Sequence, residues 1–173
     1  MCGIVGILNF DKTKINPQEL KNFNNSLSHR GPDYADIYID HDETIGLGHR
    51  RLNIIDLSSL SNQPFFCSDR RYIITYNGEI YNFLEIKKEL KAIGVQFKTN
   101  GDTEVLLNAY KQWGEKCQYK FNGMWAFAIW DNKKKSMFVS RDRFGVKPLY
   151  YYIKDNKKFY FASELKAFMH LNF

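Results

Sequence analysis

Cys2 stands directly behind Met1, and loss of an initiator methionine is sterically permissive when the second residue is small. A chain processed in that way begins with one residue that carries both a thiol and a free α-amine. A free thiol titrates near about 8.5 and an α-amine near about 7.7–8.0, so at neutral pH the amine is partly unprotonated and can accept the thiol proton, directly or through one water. Nucleophile and base then come from the same residue. Nothing else in the chain offers the usual helper. His29, His41, His49 and His170 stand in no recognisable cysteine-protease signature, and no G-x-S-x-G elbow, H-E-x-x-H or P-loop is present. The plainer alternative makes Cys2 a small buried residue at the start of an edge strand, since free cysteine commonly behaves as a small hydrophobe.

Such chemistry needs a scaffold. With 173 residues and 44% hydrophobic content the chain can bury one substantial core, which predicts a single domain over 1–173. There is no apolar run of 18 or more residues, and the stretch after Cys2 lacks the flanks of a signal peptide, so it is expected to be a strand and no membrane partner is expected. Cys2, Cys67 and Cys117 are odd in number and form no C-x-x-C pair, which argues against a disulfide framework or a zinc cluster and fits a reducing cytoplasm. The net charge of +6 is confined to residues 131–173, which hold 10 Lys+Arg against 4 Asp+Glu. Part of that excess, Lys133-Lys134-Lys135 after Asp131-Asn132, has the composition of a solvated hairpin turn, and no nucleic-acid-binding signature accompanies it.

The elements follow from periodicity and punctuation. A strand over 3–9 leads to Asn16-Pro17-Gln18-Glu19, a cap, a first-turn proline and an acidic third residue that predict a helix with Leu20, Phe23 and Leu27 on its apolar face and His29-Arg30-Gly31-Pro32 as its end. Short strands are expected near 35–40, 45–50 and 72–77. A second helix is expected from Asn82 with Leu84, Leu90 and Ile93 inward and Gly94 as stop. A third runs from about Asp102 to Trp113, with Val105, Leu106, Ala109, Tyr110 and Trp113 on one side and Gly114 after it. Residues 124–130 are apolar on both faces, as in a doubly covered strand, and strand-like Met137–Ser140, Leu149–Ile153 and Phe159–Ala162 follow. The fold class is α+β with many antiparallel strands.

Five ordered motifs then stand out: Met1-Cys2-Gly3-Ile4-Val5-Gly6, His29-Arg30-Gly31-Pro32-Asp33, Arg51-Leu52-Asn53-Ile54-Ile55-Asp56, Asn77-Gly78-Glu79-Ile80-Tyr81-Asn82 and Gly101-Asp102-Thr103-Glu104. Together they resemble the glutaminase domain of glutamine-dependent asparagine synthetases, a class II glutamine amidotransferase of the N-terminal nucleophile (Ntn) hydrolase fold. The similarity continues through Ser140–Tyr150 and Ala162–Ala167. It implies a four-layer αββα sandwich of two antiparallel sheets, with Cys2 at the end of a central strand.

The resemblance also implies roles. Cys2 attacks the carboxamide of L-glutamine. The Asn77 side chain and the Gly78 backbone N–H receive the oxyanion, although Asn-Gly taken alone is a strong hairpin signal. Arg51 grips the substrate α-carboxylate, and Glu79 and Asp102 lie near its α-ammonium; the plainer alternatives are a solvated Arg50-Arg51 pair, a surface strand residue and a helix cap. Backbone groups of Leu52 and Ile54 add substrate contacts. For His29–Asp33 a turn is the expectation, with ordering of the glutamine pocket as the alternative.

No metal and no organic cofactor is implied for this domain. ATP and magnesium belong to a C-terminal synthetase domain that the chain lacks, so the chain is expected to be a fragment of a longer protein. Arg141, Arg143, Lys147 and Lys166 are expected to face that partner domain. The ammonia acceptor is left open, because asparagine-synthetase-like proteins also amidate cell-surface sugars and antibiotic precursors. A catalytically idle glutamine-binding module is a further alternative, and so is assembly into a homodimer.

Overall fold

The apolar run after Cys2 becomes the centre of a sheet. In the computed structural model, which describes residues 1–171, β1 (Gly3–Asn9) pairs antiparallel with β3 (Ile45–Arg51) on one side and with β9 (Lys158–Ala162) on the other; β2 (Tyr34–Ile39) and β8 (Tyr150–Lys154) form the edges. A second antiparallel sheet runs β4 (Phe65–Phe66), β5 (Tyr72–Ile80), β6 (Gly123–Asp131) and β7 (Ser136–Arg141) in spatial order. Side chains alternate across each strand, so the two sheets meet through Ile4, Ile45, Leu47, Ile73, Ala126, Ala128, Trp130 and Phe161.

Helices cover the outer faces. α1 (Pro17–Asn25) and a 3₁₀ segment over Leu165–His170 pack Leu20, Phe23 and Phe168 on the first sheet. On the second sheet, α2 (Phe83–Ala92) and α3 (Asp102–Trp113) pack Ile86, Leu90, Val105, Leu106 and Ala109. The result is a four-layer αββα sandwich of class α+β. β6 is apolar on both sides because Trp125, Phe127 and Ile129 meet the helices while Ala126, Ala128 and Trp130 meet the other sheet. Truncating a fully buried aromatic such as Phe127 costs about 3–5 kcal/mol. Among the described residues no helix is long and apolar enough to cross a membrane.

Local signals succeed where a cap or a stop decides them. Asn16 Oδ1 accepts from the N–H groups of Gln18 and Glu19, and α2 and α3 are each followed by a glycine at positive φ, Gly94 and Gly114. Three expectations fail. α1 ends at Asn25, and Leu27 is buried from the turn that follows. In α2 the inward pair is Ile86 and Leu90, four apart, whereas Leu84 and Ile93 are 64% and 55% exposed. Asn82 makes no cap, because its carboxamide is taken by the backbone of Lys120 and Asn122. The lysines at 133–135 do form the turn between β6 and β7.

Candidate active site

Strand alternation assembles the site at one end of the inter-sheet layer. Ile45 and Leu47 of β3 point toward the second sheet, and period two carries His49 and Arg51 to the same side. On β5, Thr75 reaches back to the first sheet, its Oγ1 donating to Gly48 O at 2.9 Å, so Asn77 shares that face while Tyr76 faces the helices. The β1–β3 register sets Gly3 opposite Arg50, which brings Cys2 beside Arg51. Cys2, Arg51, Leu52, Ile54, Glu79 and Asp102 all line one cleft, together with Tyr76 and Gly78. Residues from four separate stretches of chain therefore converge there.

The Cys2 thiol is half-buried, with Sγ 3.4 Å from the Leu52 N–H and 3.6 Å from its carbonyl. Burial pushes its pKa up, against the opposing pull of the Leu52 N–H, the chain's terminal ammonium and Arg51. A base is needed to make it a thiolate. The backbone groups of Leu52 are thus engaged by the thiol, and Ile54 stands 63% exposed at the cleft mouth.

Asn77 and Gly78 form no hairpin. They continue the β5–β6 ladder opposite Ala126 and Trp125, because the flanking residues pair on both sides and the turn signal is overridden. Gly78 is required by close approach, since a Cβ there would lie 2.4 Å from both Met124 O and Tyr76 Cε2. Asn77 does not line the cleft; it is buried behind Gly78, and its Nδ2 is a buried donor without an acceptor. Such a group costs about 1–3 kcal/mol unless something accepts from it.

Arg51 is buried rather than solvated. Nη1 donates to Ser58 O at 2.8 Å and to Asn62 Oδ1 at 2.6 Å, and Nη2 donates to Asp56 O, so the guanidinium holds the loop over residues 52–62 against the cleft. Asp56 closes the same loop on itself through Ser58 and Ser61 and ties it to the segment before α3 through Asn100. Asp102 is the first residue of α3 and not its cap, which is Gly101. Its Oδ2 accepts from Tyr76 Oη at 2.7 Å and from Ile80 N at 2.9 Å. Burial raises its pKa, and these two donors oppose the rise. Glu79 is half-buried at the cleft wall.

Several residues at the site carry no clear signal in the sequence. Arg30, in a segment expected to be a turn, is buried and donates Nε to Cys2 O at 2.9 Å and Nη1 to Glu164 Oε1 at 2.9 Å. Burial works against the Glu164 carboxylate, yet Arg30, His29 and Lys166 outweigh it and hold its pKa at about 2. Gly31 fits only as glycine, since a Cβ would lie 2.3 Å from the Arg50 carbonyl, and Asp33 Oδ2 accepts from Asn53 N at 2.8 Å. The His29–Asp33 segment thus braces both Cys2 and the 52–62 loop. The signal for this segment was its place among the ordered motifs, with ordering of the glutamine pocket as the alternative to a turn. His49 is buried, and burial lowers its pKa to about 3.

Of the four cations expected to face a partner, Lys147 is buried inside the domain, its Nζ 3.5 Å from Met1 Sδ. Its loop is folded inward by Asp142, which accepts from Trp125, Phe144, Val146 and Lys147 N–H groups. Arg141 is engaged by the carbonyls of Gly145 and Lys147, and Lys166 by Glu164.

The sequence matches the family model described as Glutamine amidotransferase domain over residues 1–173. A glutamine-hydrolysing asparagine synthetase of Bacillus subtilis is 42% identical over 98% of this chain and 27% of its own length. A putative asparagine synthetase of Methanocaldococcus jannaschii is 45% identical over 98% of this chain and 35% of its own. The chain thus spans about a third or less of these relatives. Among solved structures, the glutamine phosphoribosylpyrophosphate amidotransferase of Bacillus subtilis, complexed with ADP and GMP, is similar in fold with a TM-score of 0.78 at 23% identity, covering 97% of this chain and 43% of that one.

Proposed function

The chain belongs to the glutamine amidotransferase domain family, and from that premise we propose that residues 1–173 form a glutaminase domain that hydrolyses L-glutamine to L-glutamate and ammonia on Cys2. The observation that carries the proposal is the orphaned, buried Nδ2 of Asn77, on the residue before Gly78, which itself lines the cleft that holds the Cys2 thiol. A buried donor without an acceptor is what an oxyanion site keeps in reserve.

Loss of Met1 frees the Cys2 α-amine, which takes the thiol proton as Sγ attacks the side-chain amide carbon. The tetrahedral oxyanion accepts from Asn77 Nδ2 and the Gly78 N–H. Collapse breaks the C–N bond, and the protonated amine gives its proton to the departing ammonia. The γ-glutamyl thioester is then hydrolysed by a water that the same amine deprotonates, which restores the thiol. Arg51, from the floor of the 52–62 loop, supplies positive charge to the α-carboxylate, and Asp102 with Glu79 receives the α-ammonium. Leu52 and Ile54 complete the wall.

The likeness to asparagine synthetases supports a longer cytoplasmic protein in which this domain feeds ammonia to an ATP- and magnesium-dependent synthetase domain that amidates aspartate. Arg141, Arg143 and Lys166 are the exposed cations left to face that domain, with Lys147 withdrawn inside.

Intact-mass analysis before and after incubation with a glutamine-like diazoketone tests the site. The expected result is a chain lacking Met1 that gains one adduct on Cys2 and releases ammonia from glutamine beforehand. A chain that binds glutamine but retains Met1, forms no adduct and releases no ammonia is the idle module instead.

A further inference from the structure

Asp102 is held by one oxygen. Tyr76 Oη and Ile80 N both donate to Oδ2, at 2.7 and 2.9 Å, and among the described residues no donor from another residue reaches Oδ1. The tyrosine that does this cannot swing away. Its N–H donates to Gln63 Oε1 at 2.7 Å, its carbonyl faces His49 Nε2 at 3.0 Å, and its ring lies against Gly78, where there is no room for a Cβ. Tyr76 and Asp102 are 2% and 6% exposed, yet both line the cleft. A hydroxyl on a buried carboxylate oxygen fixes the rotation of that carboxylate and favours its ionised form.

We propose that Tyr76 is the positioning residue behind the site's demand for a free α-amino group: by occupying Asp102 Oδ2 it leaves Oδ1 as the oxygen offered to the ammonium of the substrate. This deepens the glutaminase reading and rests on it. The charged and titratable groups around Asp102 are Tyr76 and Glu79 on β5, Cys2 ahead of β1, and Arg51 at the end of β3. Among the described residues the other carboxylates at the cleft are Asp56 and Glu79; the oxygens of Asp56 accept from Ser58 N, Ser61 Oγ and Asn100 N, so Glu79 is the one that shares the ammonium, and it does not orient Asp102.

The test compares the full wild-type chain with Tyr76→Phe, which deletes one oxygen and keeps the ring, on glutamine and on glutaramate, the same amide without the α-amine. Wild type is expected to prefer glutamine strongly. In the variant that preference should fall about tenfold, within the range for a lost bond to a charged group, with the loss on KM far more than on kcat. Removal of the donor lets Asp102 protonate more readily, so the rise of KM on acidification should begin at higher pH than in wild type. Asp102→Asn should abolish the preference, and adding Tyr76→Phe to it should change nothing more. Unchanged discrimination in Tyr76→Phe, or a pH-independent fall in kcat alone, overturns the role of Tyr76. A wild-type chain that releases no ammonia from glutamine overturns the glutaminase reading and this role together.

Discussion

His49 Nε2 lies 3.0 Å from the carbonyl oxygen of Tyr76, so an imidazole on the first sheet holds the peptide group that leads directly into Asn77 on the second. Because a carbonyl only accepts, Nε2 carries the proton and the ring is the Nε2–H tautomer. Burial keeps that ring neutral, with a pKa of about 3 against 6.5 for an ordinary histidine.

That depression has a signed consequence for stability. Between the folded and unfolded values the unfolded chain binds the extra proton, so the contribution of His49 is fully present above about pH 6.5 and is lost as pH falls toward 3. Urea unfolding of wild type and His49→Gln across that window should differ in slope by up to about 1.4 kcal/mol per pH unit, with the steeper loss in wild type. Parallel curves would mean that the ring is protonated in the folded state.

Asn77→Ala separates catalysis from folding. Its Nδ2 bonds to nothing in the folded chain, so truncation removes no donor–acceptor pair from the fold. The expected outcome is a fall in kcat of about 10²–10³ and a melting temperature that moves little. A variant that unfolds early, or one that turns over normally, would contradict the assignment of this donor to the oxyanion.

Arg30 and Glu164 should behave as a unit. Arg30 joins Cys2 O to Glu164 across 134 residues of chain, and the depressed Glu164 carboxylate contributes stability that is present above its ordinary value near 4.5 and lost as pH falls through about 2. Arg30→Ala and Glu164→Gln should each slow ammonia release, with the arginine change the larger because it strips the contact to Cys2 itself. The double variant should be no worse than Arg30→Ala. Strict additivity of the two would show that they act separately.

What the sequence determined by itself is local or compositional. The Asn16 cap, the glycine stops at Gly94 and Gly114, the span of α3 and the two-sided strand β6 all follow from residues a few positions apart, because capping, positive φ and side-chain periodicity act over that range. The ordered motifs around Cys2, Arg51, Asn77 and Asp102 also pointed to the chemistry before any contact was visible. Tertiary structure decided the rest. Asn77-Gly78 has the composition of a turn and becomes ladder, because β6 runs alongside and pairs Ala126 and Trp125 with it. Leu84 and Ile93 look inward on a helical wheel and stay exposed, because the second sheet meets the Ile86–Leu90 side. Arg30, His49 and Tyr76 acquire their functions only when two sheets stack, since stacking brings together groups that lie tens of residues apart and that no local propensity connects.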